Sequence, residues 1–163
     1  AAVVVGSNPC LKTTPCLRRL RAREEGGEAV LLTRGEVAGK RAGVGGGTMM
    51  TAQSAPWFAF SLEGRVPAWG FSPQPSVDGG VLTITRRGSP LVPVSDRRAY
   101  EAFVRAMFTG RGASLRTVVA AAARIPLARA RRAVAVAGAA DRRLPRDLRP
   151  EHWAALWHQV SRG

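Results

Sequence analysis

The chain has 163 residues, enough for one domain of ordinary size plus a tail. It is 45% hydrophobic, with a formal net charge of +14 and a sequence pI of about 11.7. Two cysteines, Cys10 and Cys16, are too few for a four-ligand zinc site or a disulfide scaffold, and no apolar run approaches the ~18–20 residues that span a bilayer.

Residues 1–52 hold no aromatic residue. Arg18, Arg19, Arg21 and Arg23 are followed by Glu24, Glu25 and Glu28, then by a glycine-rich stretch from Gly35 to Gly47. Such a segment is expected to bury too little surface to offset its ordering entropy, so it reads as an extended basic tail of low intrinsic order. The chain starts at Ala1 without a methionine, and the expectation is a processed, trimmed or incomplete N-terminus, with part of residues 1–48 extra to the folded part. An Arg-rich leader matches a mitochondrial transit peptide in part, its four glutamates being the departure.

Residues 53–163 read as a single domain, with strands first and helices after. Phe58, Phe60 and Leu62 alternate with small or polar residues, as in a half-buried strand. Glu63-Gly64-Arg65 reads as a turn, Val66 to Phe71 as a second strand, and Asp78-Gly79-Gly80 as another turn. Val81 to Thr85 is the clearest strand, being β-branched and alternating, and Leu91 to Val94 makes a short fourth. Together these predict a small antiparallel sheet or β-meander over about residues 57–94.

From residue 95 the period changes to that of helices. Tyr100, Phe103, Val104, Met107 and Phe108 fall on one helical face, with Ser95 or Asp96 as cap and Gly110 as stop. A second helix follows Ser114, a third runs from Leu127 to about Val136, and a fourth starts at Pro150 with Trp153, Leu156, Trp157 and Val160 on one face. The predicted fold class is therefore α+β: a small sheet, then a three- to four-helix C-terminal bundle, behind the basic tail.

Charge is uneven along the chain. Residues 95–163 carry 14 arginines against five acids, while residues 53–94 carry three against two. The stretch Leu115 to Val136 places two short helices on either side of Arg124-Ile125-Pro126, with Arg129, Arg131 and Arg132 on the second. This resembles the helix-turn-helix family of DNA-binding proteins over about 22 residues, although Arg124 and Ile125 stand where a glycine is usual. A second basic cluster holds Arg142, Arg143, Arg146 and Arg149. Arginine clusters on loops and helix faces suit phosphate contact. The expected nucleic-acid-binding residues are Arg124, Arg129, Arg131, Arg132, Arg142, Arg143, Arg146 and Arg149.

No catalytic constellation stands out. Gly35-x-x-x-Gly39-Lys40 has the wrong spacing for a phosphate-binding loop and continues to Arg41, and His152 and His158 point to different helix faces. Trp57, Phe58 and Phe60 read as core. The sequence thus predicts a non-enzymatic protein with no cofactor, no metal, no small-molecule substrate and no transmembrane segment. Its partners would be nucleic acid, RNA before DNA, and protein neighbours in a large assembly. The composition resembles that of ribosomal proteins in general. The expected role is a structural component of a large ribonucleoprotein such as an organellar ribosome, in a mitochondrial or other organellar matrix. Two alternatives are a helix-turn-helix DNA-binding regulator in cytoplasm or nucleoid, and a supernumerary structural subunit of a membrane-associated complex.

Overall fold

The computed structural model describes residues 2–4, 13–22 and 27–162. These divide into two compact units, one of residues 1–45 and 58–88, the other of residues 46–57 and 89–163.

The first unit is built on a four-stranded sheet. Its strands are β1 (Ala2–Val4), β2 (Glu28–Arg34), β3 (Phe58–Val66) and β4 (Gly79–Arg86), in the order β1-β2-β4-β3. β1 pairs parallel with β2, while β4 runs antiparallel to both β2 and β3. Ala29 and Leu31 on β2 and Leu82 and Ile84 on β4 are buried. Each large aliphatic side chain so covered contributes roughly 1.5–3 kcal/mol. Helix α1 (Thr13–Arg21) buries Cys16, Leu17 and Leu20.

Helix α2 (Gly35–Ala42) follows β2 without a loop and packs against β3 and β4. Small residues make that packing close. A Cβ on Gly80 would lie 2.6 Å from the Cβ of Ala38 and 3.1 Å from the Cα of Gly35. The helix ends at Gly43, whose φ of 87° is the left-handed conformation glycine adopts without cost.

The second unit is helical. Helix α3 (Met49–Ser54) begins at Thr48, whose backbone N–H donates to Thr51 Oγ1 at 2.9 Å while Thr51 N–H donates to Thr48 Oγ1 at 3.3 Å. Helices α4 (Arg97–Thr109), α5 (Leu115–Ala123), α6 (Leu127–Val136) and α7 (Pro150–Val160) complete it. Its core is aromatic. Tyr100 meets Trp57 and Trp157 edge-on at centroid separations of 5.5 and 5.7 Å, and Phe103 meets Trp153 and Trp157 at 6.4 and 5.8 Å. The Tyr100 hydroxyl donates to the carbonyl of Ala52 at 2.8 Å, and burial pushes its phenol above the ordinary tyrosine range. Asp96 precedes α4 as expected, but its Oδ2 accepts from the Trp157 indole at 3.1 Å rather than from the helix.

The predicted fold class is corrected. Residues 1–52 are not a tail: β1, α1, β2, α2 and most of α3 lie within them. The missing aromatics misled because Leu17, Leu20, Ala29, Leu31 and Ala38 bury enough aliphatic surface against sheet neighbours. The sheet is mixed rather than an antiparallel meander, and it takes strands from before residue 53. Glu63-Gly64-Arg65 is not a turn but a register shift inside the nine-residue β3. Residues 66–71 form no second strand; a short 3₁₀ turn spans Ala68–Gly70. Asp78-Gly79-Gly80 leads into β4, and Leu91 to Val94 is not a strand. Of the cysteine pair, Cys10 lies outside the described residues.

Candidate functional site

The connection between β3 and β4 runs from Pro67 to Asp78, much longer than the roughly two to five residues of an ordinary hairpin. Asp78 anchors it. Asp78 Oδ1 accepts from the backbone of Ala68 at 3.0 Å, Oδ2 pairs with Arg65 at 3.2 Å, and its carbonyl accepts from Gly35 at 2.9 Å. One residue therefore fastens the loop, the end of β3 and the start of α2.

Under that loop lies a cavity of about 280 Å³, lined by Leu32, Thr33, Arg34, Phe71, Ser72, Pro73, Pro75, Ser76, Val77, Asp78 and Gly79. Its volume falls just below the usual range for small-molecule pockets, which suits one planar ring system rather than a large ligand. Leu32 to Arg34 are the last residues of β2, so the cavity opens at the carboxyl end of the parallel pair β1–β2, the side on which open α/β sheets bind ligands. Phe71 forms one wall. A Cβ on Gly79 would lie 3.0 Å from its ring and 3.2 Å from Leu32 Cδ1, so glycine keeps the floor open. The lining is mainly apolar, with Thr33, Ser72 and Ser76 supplying hydroxyls and Arg34 and Asp78 supplying one charge of each sign.

The second unit carries a basic groove of about 780 Å³. The start of α5 (Ser114, Leu115, Arg116), Arg131 and Val134 of α6, and Asp141 to Leu144 line it. Four arginines thus face it against one acid, Asp141, which pairs with Arg142 at 3.4 Å. The N-terminus of α5 adds the positive end of its dipole.

The predicted arginines separate into distinct roles. Arg131, Arg142 and Arg143 come together in the groove. Arg132 is exposed on α6, outside the groove lining. Arg124 caps α5 in the left-handed conformation, with φ 54° and ψ 45°, the task that a glycine usually performs in such a turn. Arg129 donates to the carbonyls of Arg162 at 2.7 Å and Gln159 at 3.4 Å, holding the end of α7. Arg146 lies 4.0 Å from Asp147, its carbonyl accepting from Gly47, and Arg149 pairs with Glu151 at 3.0 Å. Sequence reasoning missed Arg116 in the groove and the whole Phe71 cavity. The overlong, proline-rich connection between the strands was the available signal.

The turn from β2 into α2 is not a glycine-rich phosphate cradle. The strand-to-helix turn from β2 into α2 holds a single glycine, and the Gly35 N–H is already taken by the carbonyl of Asp78.

The sheet order β1-β2-β4-β3 with its parallel pair superposes on a solved methyltransferase over 98% of this chain, and the fold is Rossmann-like methyltransferase. A family model described as ribosomal RNA adenine dimethylase matches residues 3–135, and the chain belongs to that family. It is 52% identical over 110 residues to the rRNA adenine N-6-methyltransferase of Corynebacterium diphtheriae, a match covering 68% of this chain and 44% of that one. It is 44% identical over 154 residues to the mycinamicin-resistance protein MyrB of Micromonospora griseorubida, covering 94% of this chain and 49% of the relative. Among solved structures, the 23S rRNA methyltransferase ErmE superposes with a TM-score of 0.82 at 26% identity, covering 98% of this chain and 65% of that one. The chain thus spans about half the length of the curated relatives it matches.

Family membership overturns the functional reading made from composition. The chain is not a structural ribosomal or mitochondrial component, a helix-turn-helix regulator or a subunit of a membrane complex; its relatives are RNA-modifying enzymes. The basic helices misled because an enzyme acting on RNA needs the same phosphate-facing arginines as a protein that only binds it. Among the described residues, no helix is long and apolar enough to cross a membrane.

Proposed function

We propose that the chain acts in N6-methylation of an adenine in ribosomal RNA, and that its described residues form the acceptor side of that reaction. The observation that carries this reading is the ring-sized, Phe71-walled cavity at the carboxyl end of the strands, inside the stretch the family model covers. Enzymes that modify a base must take it out of its stack and hold it in a pocket by stacking and by its hydrogen-bonding edge. Phe71 supplies the stacking face, and Leu32, Pro73, Pro75 and Val77 add apolar lining. Thr33, Ser72 and Ser76 are the groups available to the base's polar edge.

The expectation of no small-molecule substrate gives way in this reading, because methyl transfer consumes a donor. Bound S-adenosylmethionine would supply the methyl group. RNA is the partner. Arg116, Arg131, Arg142 and Arg143 hold its phosphates in the groove, which is affinity without base reading. Arg132 and Arg124 stay open for further phosphate contact. Arg129, Arg146 and Arg149 shape the unit that presents the others.

The test is binding of the chain to an rRNA hairpin carrying one unpaired adenine, to the same hairpin with guanine there, and to one with an abasic site. Tightest binding to the adenine hairpin supports the reading. Equal binding to all three contradicts it, and leaves a protein that grips RNA without holding a base.

A further inference from the structure

We propose that Trp69 is a stacking platform for the nucleotide that flanks the target adenine, a base-binding site outside the cavity. The inference rests on the acceptor-side reading above.

Trp69 is 78% exposed. The other three tryptophans, Trp57, Trp153 and Trp157, are 3%, 2% and 8% exposed and belong to the aromatic core of the helical unit. Single exposed aliphatics are ordinary on a protein surface. An indole open to water on a fastened turn is different, because its large apolar face is presented to solvent from a fixed point of the backbone. The turn is fastened: Ala68 N–H donates to Asp78 Oδ1 at 3.0 Å, Gly70 N–H to the Pro67 carbonyl at 2.9 Å, and Phe71 N–H to the Ala68 carbonyl at 3.2 Å. Among the described residues, Trp69 makes no ring contact or hydrogen bond that would account for its position.

Its neighbour in sequence identifies the occupant. Phe71, two residues on, is the wall of the base cavity, and two residues span at most about 7 Å of chain. The nucleotides on either side of an extruded adenine are each tied to it by one phosphodiester link, so they come within reach of whatever rims the cavity. Unstacked RNA bases are held by aromatic side chains, and every base offers the face that an indole needs. Arg65, exposed beside the turn with its guanidinium on Asp78, keeps the local potential from repelling the connecting phosphate.

The chain carries its own probe, because Trp69 is the tryptophan that acrylamide reaches. Four hairpins serve: one with an unpaired adenine between two bases, two with one or the other flanking base made abasic, and one with the adenine itself abasic. Binding of the first is expected to shield the exposed tryptophan from acrylamide, and one of the two flank-abasic hairpins is expected to leave it open. Trp69→Ala is expected to weaken the first hairpin by roughly 5- to 150-fold and that flank-abasic hairpin hardly at all, with Trp69→Phe keeping most of the affinity. Equal weakening of all hairpins by Trp69→Ala, or unchanged acrylamide access on binding, overturns the platform. Loss of preference for adenine over the adenine-abasic hairpin sinks the acceptor-side reading instead. Preference for adenine with Trp69 still open to acrylamide removes the platform alone.

Discussion

Residues 53–94 carry three arginines against two acids, whereas residues 95–163 carry 14 against five. The sheet unit offers a small apolar cavity with one aromatic wall, and the helical unit offers an open groove with four arginines. On the acceptor-side reading both meet RNA, by different physics. Stacking and burial in the cavity respond to which base is present and little to salt. Guanidinium–phosphate contact responds to salt and little to the base. Composition reports only the second kind of contact, which is why charge pointed to RNA and said nothing of catalysis.

The sharpest way to break the comparison is to damage one unit's packing. Gly80→Val puts branched carbon where even its Cβ would lie 2.6 Å from that of Ala38, and is expected to cost about 3 kcal/mol. Denaturant unfolding reads the destabilisation, and hydrogen exchange should place it in the β2 and β4 amides. Replacing Arg116, Arg131, Arg142 and Arg143 together by Ala comes next. Each phosphate left without its arginine takes about 0.7–0.9 off the slope of log affinity against log salt, so a fall of about 3 is expected. The preference for adenine over an abasic site should survive. An unchanged slope would show that the groove holds no phosphates. Tyr100→Phe is the smallest change: it removes the hydroxyl on the Ala52 carbonyl and is expected to cost about 1 kcal/mol, seen as a lower thermal midpoint without change in RNA preference.

Much of the helical unit was legible because its period is local. Tyr100, Phe103, Val104 and Met107 mark one face of α4, Trp153, Leu156 and Trp157 mark α7, and all are buried. The two helices around Arg124 were legible too, although that arginine takes a backbone conformation expected of glycine. The sheet was not legible as a whole. β4 is plain in Val81 to Thr85, but its partner β2 lies far earlier in the chain, among glutamates and glycines that suggested a tail. Gly64 looked like a turn because a bulge and a turn both favour glycine. Of the groove's lining, Arg131, Arg142 and Arg143 stand in charge runs that the sequence displays, and Arg116, lone in its helix, does not. The Phe71 cavity draws on β2, the long connection and the first residue of β4, and nothing local announces that these meet.

The most direct test of the central claim is a two-by-two binding cycle: the chain and its Phe71→Ala variant, each with the unpaired-adenine hairpin and its adenine-abasic counterpart, at one salt concentration. The account predicts a coupling of about 1–3 kcal/mol, with Phe71→Ala weakening the adenine hairpin and leaving the abasic one nearly unchanged. Equal weakening of both hairpins, giving no coupling, would contradict the placement of the adenine against Phe71.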